Sequence, residues 1–225
     1  MIKRYANDNQ LTVVSVGYRL SPEHPYPAPV DDCHDAAEYL IEHGEAEYGA
    51  PLVVMGGASA GAHLVVLTAF KLIRERPSYQ LGGLILMYGS YDVTGQLPSF
   101  RAVPAAAREG LLDCSRAFLP GRTDEEMRDP LVSPVYDDIW GLARASPGGT
   151  LPPALFICGS EDFFLDDTVL LGTKWLATGS PTEIKIVPGA PHGFDFAPGL
   201  KESDEAFAQV AAFLKTNVER LAGGN

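Results

Sequence analysis

The chain has 225 residues, of which 46% are hydrophobic and 20% are charged, and this composition fits one globular domain with a substantial core. Its net charge of −12 repels phosphate backbones and argues against nucleic acid as a partner. Three widely spaced cysteines, Cys33, Cys114 and Cys158, argue against a disulfide framework. The sequence shows no signal-peptide core and no apolar run that could span a membrane. We therefore expect a soluble, cytoplasmic protein with reduced thiols.

Short buried strands alternate with helices along most of the chain. Strands are predicted from runs of apolar and β-branched residues at 11–16, 52–56, 84–88, 154–158 and 183–187. Helices are predicted from amphipathic or strongly apolar patterns at about 30–42, 60–74, 167–178 and 202–221. This alternation is typical of an α/β protein whose mostly parallel sheet is covered by helices on both faces.

One long stretch, from about residue 92 to residue 150, interrupts the alternation. It is rich in Pro, Gly and Arg and shows short helical patterns but no strand. Insertions of this length between strands are usually functional, and we expect a helical cap or lid over the carboxyl ends of the strands. Residues 1–225 then form a single domain that carries this insertion. The aromatic residues in and beside the insertion are expected to pack rather than to contact a ligand; they are Tyr91, Phe100, Phe118, Tyr136 and Trp140.

A glycine-rich turn joins the predicted strand 52–56 to an apolar helix. Gly57-Ala58-Ser59-Ala60-Gly61 fits G-x-S-x-G, the pattern of the nucleophile elbow of α/β-hydrolases. In such an elbow the glycines permit a close approach, the serine is strained, and the helix N-terminus favours a developing oxyanion. The alternative is a serine that lies in an ordinary glycine-rich turn or caps the helix. The flanking strand and helix favour Ser59 as the nucleophile, with the Ala60 N–H as an oxyanion donor.

A serine hydroxyl needs a general base to react at neutral pH, and the chain offers five histidines. Four of them are interpreted as surface or packing residues, namely His24, His34, His43 and His63. His192 follows the last predicted strand and should lie at the edge of the sheet where Ser59 emerges. His192 is therefore the predicted base, and the alternative is an exposed loop histidine.

The acid is expected after the strand that precedes the histidine's strand. Residues 159–167 read Gly-Ser-Glu-Asp-Phe-Phe-Leu-Asp-Asp. Asp162 is predicted to accept a hydrogen bond from His192, which gives the chain order Ser, Asp, His. Glu161 is expected to point elsewhere, and Asp166 and Asp167 are expected to cap the next helix.

Taken together, these segments resemble the hormone-sensitive-lipase-like esterases of the α/β-hydrolase superfamily. The resemblance rests on four segments and covers nearly the whole chain from about Leu11; the segments are 18–29, 57–61, 159–167 and 192–194. Ala58 stands where many members have Asp. The resemblance implies a serine hydrolase that cleaves small carboxylic esters with short or medium acyl chains and uses no cofactor and no metal.

The family's His-Gly-Gly-Gly oxyanion motif has no counterpart in this sequence. By the resemblance, this motif and a central strand would precede Leu11. Three explanations are open: the sequence is a truncated piece of a longer protein, which we favour; a partner chain supplies the strand; or residues 11–16 shift into the place beside 52–56. Loss of one oxyanion donor typically lowers the rate by about 10²–10³.

Alternatives to an ester hydrolase also remain open. A peptidase or amidase could use the same three residues, because they do not set the leaving group. A second alternative is a ligand-binding protein of the same fold, similar to the plant gibberellin receptors. Those receptors have lost the catalytic histidine, whereas this chain keeps His192, which favours the enzyme. A catalytically impaired truncated relative is the third alternative. Association into a homo-oligomer is left open.

Overall fold

Four strands form one parallel sheet in the computed structural model, which describes residues 2–196 and 199–222. The strands lie side by side in chain order: β1 (Val54–Ala58), β2 (Gly83–Met87), β3 (Ala154–Gly159) and β4 (Thr182–Val187). All neighbouring pairs are parallel, so the carboxyl ends of the strands meet at one edge of the sheet. The four corresponding sequence predictions are confirmed to within two residues.

Within the described residues, helices cover both faces of the sheet. They are α1 (Ile2–Asn9), α2 (Ala28–Tyr48), α3 (Ala60–Glu75), α4 (Pro98–Arg101), α5 (Ala105–Phe118), α6 (Ile139–Ala145), α7 (Leu165–Ala177) and α8 (Lys201–Ala222). The predicted helices are confirmed as α2, α3, α7 and α8, although α2 is longer than expected at both ends. It ends at Tyr48 and is capped by Gly49, whose φ of 81° suits glycine.

Alternate side chains of the central strands enter two hydrophobic cores. Leu84 and Leu86 of β2 face the core shared with α3 and α7, whereas Ile85 and Met87 face the core under α8. Every residue of β2 and β3 is buried. Burial of each large side chain contributes about 1.5–3 kcal/mol. A shift of one residue would exchange the two faces, so this burial fixes the strand register.

The prediction of a strand at residues 11–16 is wrong. These residues form no strand ladder in the described structure and are mostly exposed, with Val13 at 38% and Val14 at 42%. A largely apolar cavity of about 640 Å³ lies between them and β1. A strand needs a neighbour for its backbone N–H and C=O groups, and the cavity keeps these segments apart. The suggestion that residues 11–16 occupy the place beside β1 is therefore wrong as well.

The insertion between β2 and β3 contains α4, α5, α6 and short 3-10 turns, and residues 92–150 include no strand. It packs on the sheet domain where α6 contacts α3 and where α4 contacts α7. Tyr91 and Phe100 are buried as expected for packing residues, but Trp140 is 50% exposed. Separately, none of the helices within residues 2–196 and 199–222 has the length and apolar character to cross a bilayer.

Candidate active site

Ser59 occupies the tight turn between β1 and α3. Its φ of 54° and ψ of −121° are strained for a residue other than glycine. A Cβ on Gly57 would lie 2.3 Å from the carbonyl carbon of Gly61, so the close approach requires glycine at position 57. A Cβ on Gly61 would meet nothing within 4 Å among the described residues. The strained serine turn is therefore confirmed, but only its first glycine is needed for the close approach.

The Ser59 hydroxyl faces a histidine rather than the helix. Ser59 Oγ lies 3.0 Å from His192 Nε2 and forms no capping hydrogen bond with α3, so the helix-cap alternative is wrong. The Ser59 N–H donates to the Met87 carbonyl at 2.9 Å, which attaches the turn to the end of β2. The adjacent Ala60 N–H belongs to the first turn of α3, where helix geometry leaves backbone donors free.

His192 and Asp162 meet at the same edge of the sheet. His192 lies in the loop after β4, and its Nδ1 is 2.9 Å from Oδ2 and 3.1 Å from Oδ1 of Asp162. Asp162 is buried and also accepts a hydrogen bond from the Phe164 N–H at 2.8 Å. A carboxylate at Nδ1 favours the tautomer that carries its proton there and leaves Nε2 free to accept from Ser59. All three residues predicted from the sequence are thus brought together.

The loops that carry Asp162 and His192 come close because of a glycine. A Cβ on Gly159, the last residue of β3, would lie only 1.9 Å from the Ala190 carbonyl oxygen. The Glu161 N–H donates to that same oxygen at 3.1 Å. The Glu161 side chain is exposed, as expected. Close contact between the two loops therefore sets the distance between the acid and the base.

Aromatic rings surround the His192 imidazole, and sequence reasoning did not identify them. Phe163 stacks on it with ring centroids 4.5 Å apart and an interplanar angle of 28°. Phe164 and Tyr88 meet it edge-on, with centroids 5.5 Å and 4.8 Å away. The available signals were the aromatic pair directly after Asp162 and a tyrosine directly after β2. These contacts restrict the orientation of the ring.

The expectation that Asp166 and Asp167 cap α7 is wrong. The N-cap residue is Phe164, whose side chain makes no capping hydrogen bond; the Asp166 N–H donates to Ser99 Oγ at 3.1 Å instead. Asp166 instead accepts a hydrogen bond from the Ser99 N–H at 2.6 Å, in the insertion. Asp167 accepts from the N–H groups of Tyr91 and Asp92 at 2.6 and 2.7 Å. Each aspartate thus joins the first turn of α7 to the chain that follows β2.

Burial dominates the ionisation of Asp167. It raises the pKa of this carboxyl from 3.8 to about 8, against the opposite effect of the two backbone donors. The buried carboxyl group therefore retains its proton far above the pH at which an exposed aspartate loses it.

The remaining histidines are surface or packing residues, as expected. His24 and His43 are exposed. His63 is buried with Nε2 2.7 Å from the Val132 carbonyl oxygen, and burial lowers its pKa to about 4. His34 is buried on α2, with Nε2 2.9 Å from a Glu75 carboxylate oxygen.

One cluster in the described part of the chain has metal-ligand spacing. His34 Nε2 and carboxylate oxygens of Glu38 and Glu75 lie within 4.8 Å of one another. However, the Arg76 guanidinium donates to both Glu38 oxygens, at 2.6 and 2.8 Å. This guanidinium already neutralises Glu38 and would repel a divalent cation. Glu75 is the last residue of α3, a whole helix away from Ser59.

Several named proteins are similar in sequence to this chain. Residues 1–196 match the profile of the alpha/beta hydrolase fold family. An esterase of Acinetobacter venetianus is 29% identical over 221 residues, covering 92% of this chain and 65% of the relative. A carboxylesterase of Mycobacterium tuberculosis is 30% identical over 221 residues, covering 95% of this chain and 66% of the relative. The chain thus spans about two thirds of the length of these relatives.

Solved structures show the same similarity. An esterase of the archaeon Pyrobaculum calidifontis has a TM-score of 0.80 and 29% identity, over 96% of this chain and 69% of that chain. A homologue of hormone-sensitive lipase from a metagenome library has a TM-score of 0.79 and 28% identity, over 96% and 70% of the two chains. The chain therefore belongs to the α/β-hydrolase fold family and, within it, to the hormone-sensitive-lipase-like esterases.

Proposed function

We propose that this protein hydrolyses carboxylic esters through an acyl-enzyme on Ser59. One observation carries the proposal: Ser59 Oγ, His192 Nε2, His192 Nδ1 and Asp162 Oδ2 form a continuous hydrogen-bonded chain, with contacts of 3.0 and 2.9 Å. The names of the relatives, esterase and carboxylesterase, support the ester as substrate class.

The first half-reaction acylates the serine. Ser59 Oγ attacks the ester carbonyl carbon while His192 Nε2 takes the hydroxyl proton. The resulting imidazolium is stabilised by the buried Asp162 carboxylate at Nδ1. His192 then gives the proton to the leaving alcohol oxygen as the C–O bond breaks, and the acyl group stays on Ser59.

Water completes the second half-reaction. His192 Nε2, again neutral, accepts a proton from a water molecule that attacks the acyl carbon. The imidazolium returns this proton to Ser59 Oγ as the acyl–serine bond breaks. The products are a carboxylic acid and free enzyme, and no proton is gained or lost by the three residues over the cycle.

Negative charge on the carbonyl oxygen requires donors beside Ser59. The Ala60 N–H fills this role in the proposal, because it lies at the start of α3 directly after the nucleophile. The positive end of the helix dipole adds to its effect.

The insertion at residues 92–150 is proposed to act as the lid over this edge and to limit substrates to small esters with short or medium acyl chains. Two contacts support its placement next to the reaction centre. Ser99 Oγ donates to the Phe163 carbonyl at 3.1 Å, and the Ser99 N–H donates to Asp166. Both partners lie within four residues of Asp162 in the chain.

Hydrolysis of p-nitrophenyl acetate and butyrate tests the proposal, with labelling by a fluorophosphonate probe as a second readout. Wild type should hydrolyse and be labelled, Ser59→Ala should do neither, and Ser78→Ala, at an exposed serine after α3, should behave as wild type. A folded wild type that is neither active nor labelled would contradict the proposal and favour a ligand-binding role or a catalytically impaired truncated relative. Cleavage of the matching p-nitroanilides at rates similar to the esters would instead indicate an amidase.

A further inference from the structure

We propose that Tyr88 is a positioning residue for His192, and that it acts together with Asp195. This inference rests on the proposed function, because it assigns to Tyr88 the task of holding the general base in place. Two contacts carry it: the Tyr88 ring against the imidazole, and the Tyr88 hydroxyl on a carboxylate of the loop that bears the imidazole.

The backbone of Tyr88 is strained at the end of β2. Its φ is 39°, which is uncommon for any residue other than glycine and especially for a bulky one. Such conformations are costly and persist only where the surroundings impose them. The Tyr88 N–H donates to the Ile157 carbonyl of β3 at 2.6 Å, so the residue is held by the central strand. The Tyr88 side chain is completely buried, and its orientation is set by backbone that is bonded to the central strand β3.

The Tyr88 hydroxyl donates a hydrogen bond to Oδ1 of Asp195. Asp195 lies three residues after His192, in the 3-10 turn Phe194–Phe196, and is 5% exposed. Among residues 2–196 and 199–222, no hydrogen-bond donor reaches the other carboxylate oxygen, Oδ2. A buried carboxylate that loses its donor is left unsatisfied, which is costly. The hydroxyl of Tyr88 therefore holds the histidine loop at a point close to the base.

The Tyr88 ring contacts the imidazole itself. The two ring centroids are 4.8 Å apart, with an interplanar angle of 67°, and the same tyrosine ring also meets Phe194 at 6.1 Å. One residue thus contacts the base, its loop and a neighbouring side chain of that loop. If this support is lost, the imidazole can tilt away from Ser59 without losing its bond to Asp162.

A small displacement of the base is expected to reduce turnover more than binding. Misplacement of a catalytic group by about 1 Å can lower the rate by about 10²-fold. Tyr88→Phe keeps the ring and removes the hydroxyl, so we expect kcat to fall by about 10-fold while KM changes by less than about twofold. Asp195→Ala should give a similar loss. Asp195→Asn keeps an oxygen acceptor for the hydroxyl and should retain most of the activity.

The experiment measures kcat and KM for these three variants and for the double variant Tyr88→Phe/Asp195→Ala. If the two residues act through one contact, the double variant should be no slower than either single variant. The matched control is Tyr79→Phe, which removes a hydroxyl bonded to the Leu52 carbonyl at the opposite end of the sheet. Tyr88→Phe with the kcat of wild type, or a double variant whose losses multiply, would overturn the proposal.

A second readout keeps this test separate from the proposed function. Hydrogen–deuterium exchange of the segment 188–196 should be faster in Tyr88→Phe and Asp195→Ala than in wild type and Tyr79→Phe, whether or not the protein hydrolyses esters. Unchanged exchange in this segment would refute the proposal that Tyr88 and Asp195 hold the histidine loop in place. Wild type without activity but with faster exchange in the variants would refute only the ester hydrolase.

Discussion

Asp167 should make the stability of the fold depend on pH in the opposite sense to most paired carboxylates. This residue is 1% exposed, and burial raises the pKa of its carboxyl from 3.8 to about 8. Between these two values the folded chain holds a proton that the unfolded chain releases, so stability falls as the pH rises. Each pKa unit corresponds to about 1.4 kcal/mol, so the decrease from pH 5 to pH 9 is about 4 kcal/mol.

Asp167→Asn isolates this contribution. The amide has the size of the protonated carboxyl, keeps an oxygen for the N–H groups of Tyr91 and Asp92, and does not titrate. The stability of the variant relative to wild type should therefore increase by about 4 kcal/mol from pH 5 to pH 9. Urea unfolding at intervals of one pH unit measures the difference, which corresponds to more than about 1 M in midpoint.

The control is Ser78→Ala, at an exposed serine that carries no ionisable group. The difference in stability between this variant and wild type should therefore not change with pH. If the curves of wild type and Asp167→Asn run parallel from pH 5 to pH 9, Asp167 is ionised in the folded protein and its two backbone donors outweigh its burial.

Three further outcomes are expected. Asp162→Asn should lower kcat for p-nitrophenyl acetate by about 10⁴ with little change in KM, since the amide favours the wrong tautomer of His192; a loss of less than 10-fold would exclude Asp162 as the acid. Burial lowers the pKa of His63 to about 4, so as the pH falls from 6.5 to 4 the unfolded chain binds a proton there while the folded chain does not, and wild type loses about 3 kcal/mol of stability. His63→Gln does not titrate and should not show this loss, which urea unfolding at pH 4.5 and pH 7 measures. Gly57→Ala should destabilise the fold by about 1–3 kcal/mol or more, seen in its urea midpoint, because the new methyl group meets backbone; an unchanged midpoint would mean that the turn relaxes freely.

Much of the site could be predicted because its residues follow strands that have strong local signals. The apolar runs at 84–88 and 154–158 fix the ends of β2 and β3, and parallel strands bring their carboxyl ends to one edge. Ser59, Asp162 and His192 could be placed at that edge because each follows a predicted strand, Ser59 within a G-x-S-x-G turn, and because they come in the chain order Ser, Asp, His.

The wrong and missed predictions share one cause: contacts with distant parts of the chain, rather than the local sequence, determine the structure at these positions. Residues 11–16 have the composition of a strand, but no strand among the described residues lies alongside them. Asp166 and Asp167 stand where capping residues are common, but their carboxylates accept hydrogen bonds from backbone N–H groups of the chain after β2 instead. The role of Tyr88 depends on a contact across 107 positions of sequence, which no local pattern contains.

The edge position of β1 bears on local unfolding at the candidate active site. Among the described residues β1 is hydrogen-bonded to β2 alone, whereas β2 and β3 each have two neighbours. Opening β1 therefore breaks one ladder and leaves the buried centre of the sheet intact, so it costs less free energy than global unfolding. Because the strained turn at Ser59 continues this strand, local opening of β1 would displace the proposed nucleophile while β2 and β3 stay paired.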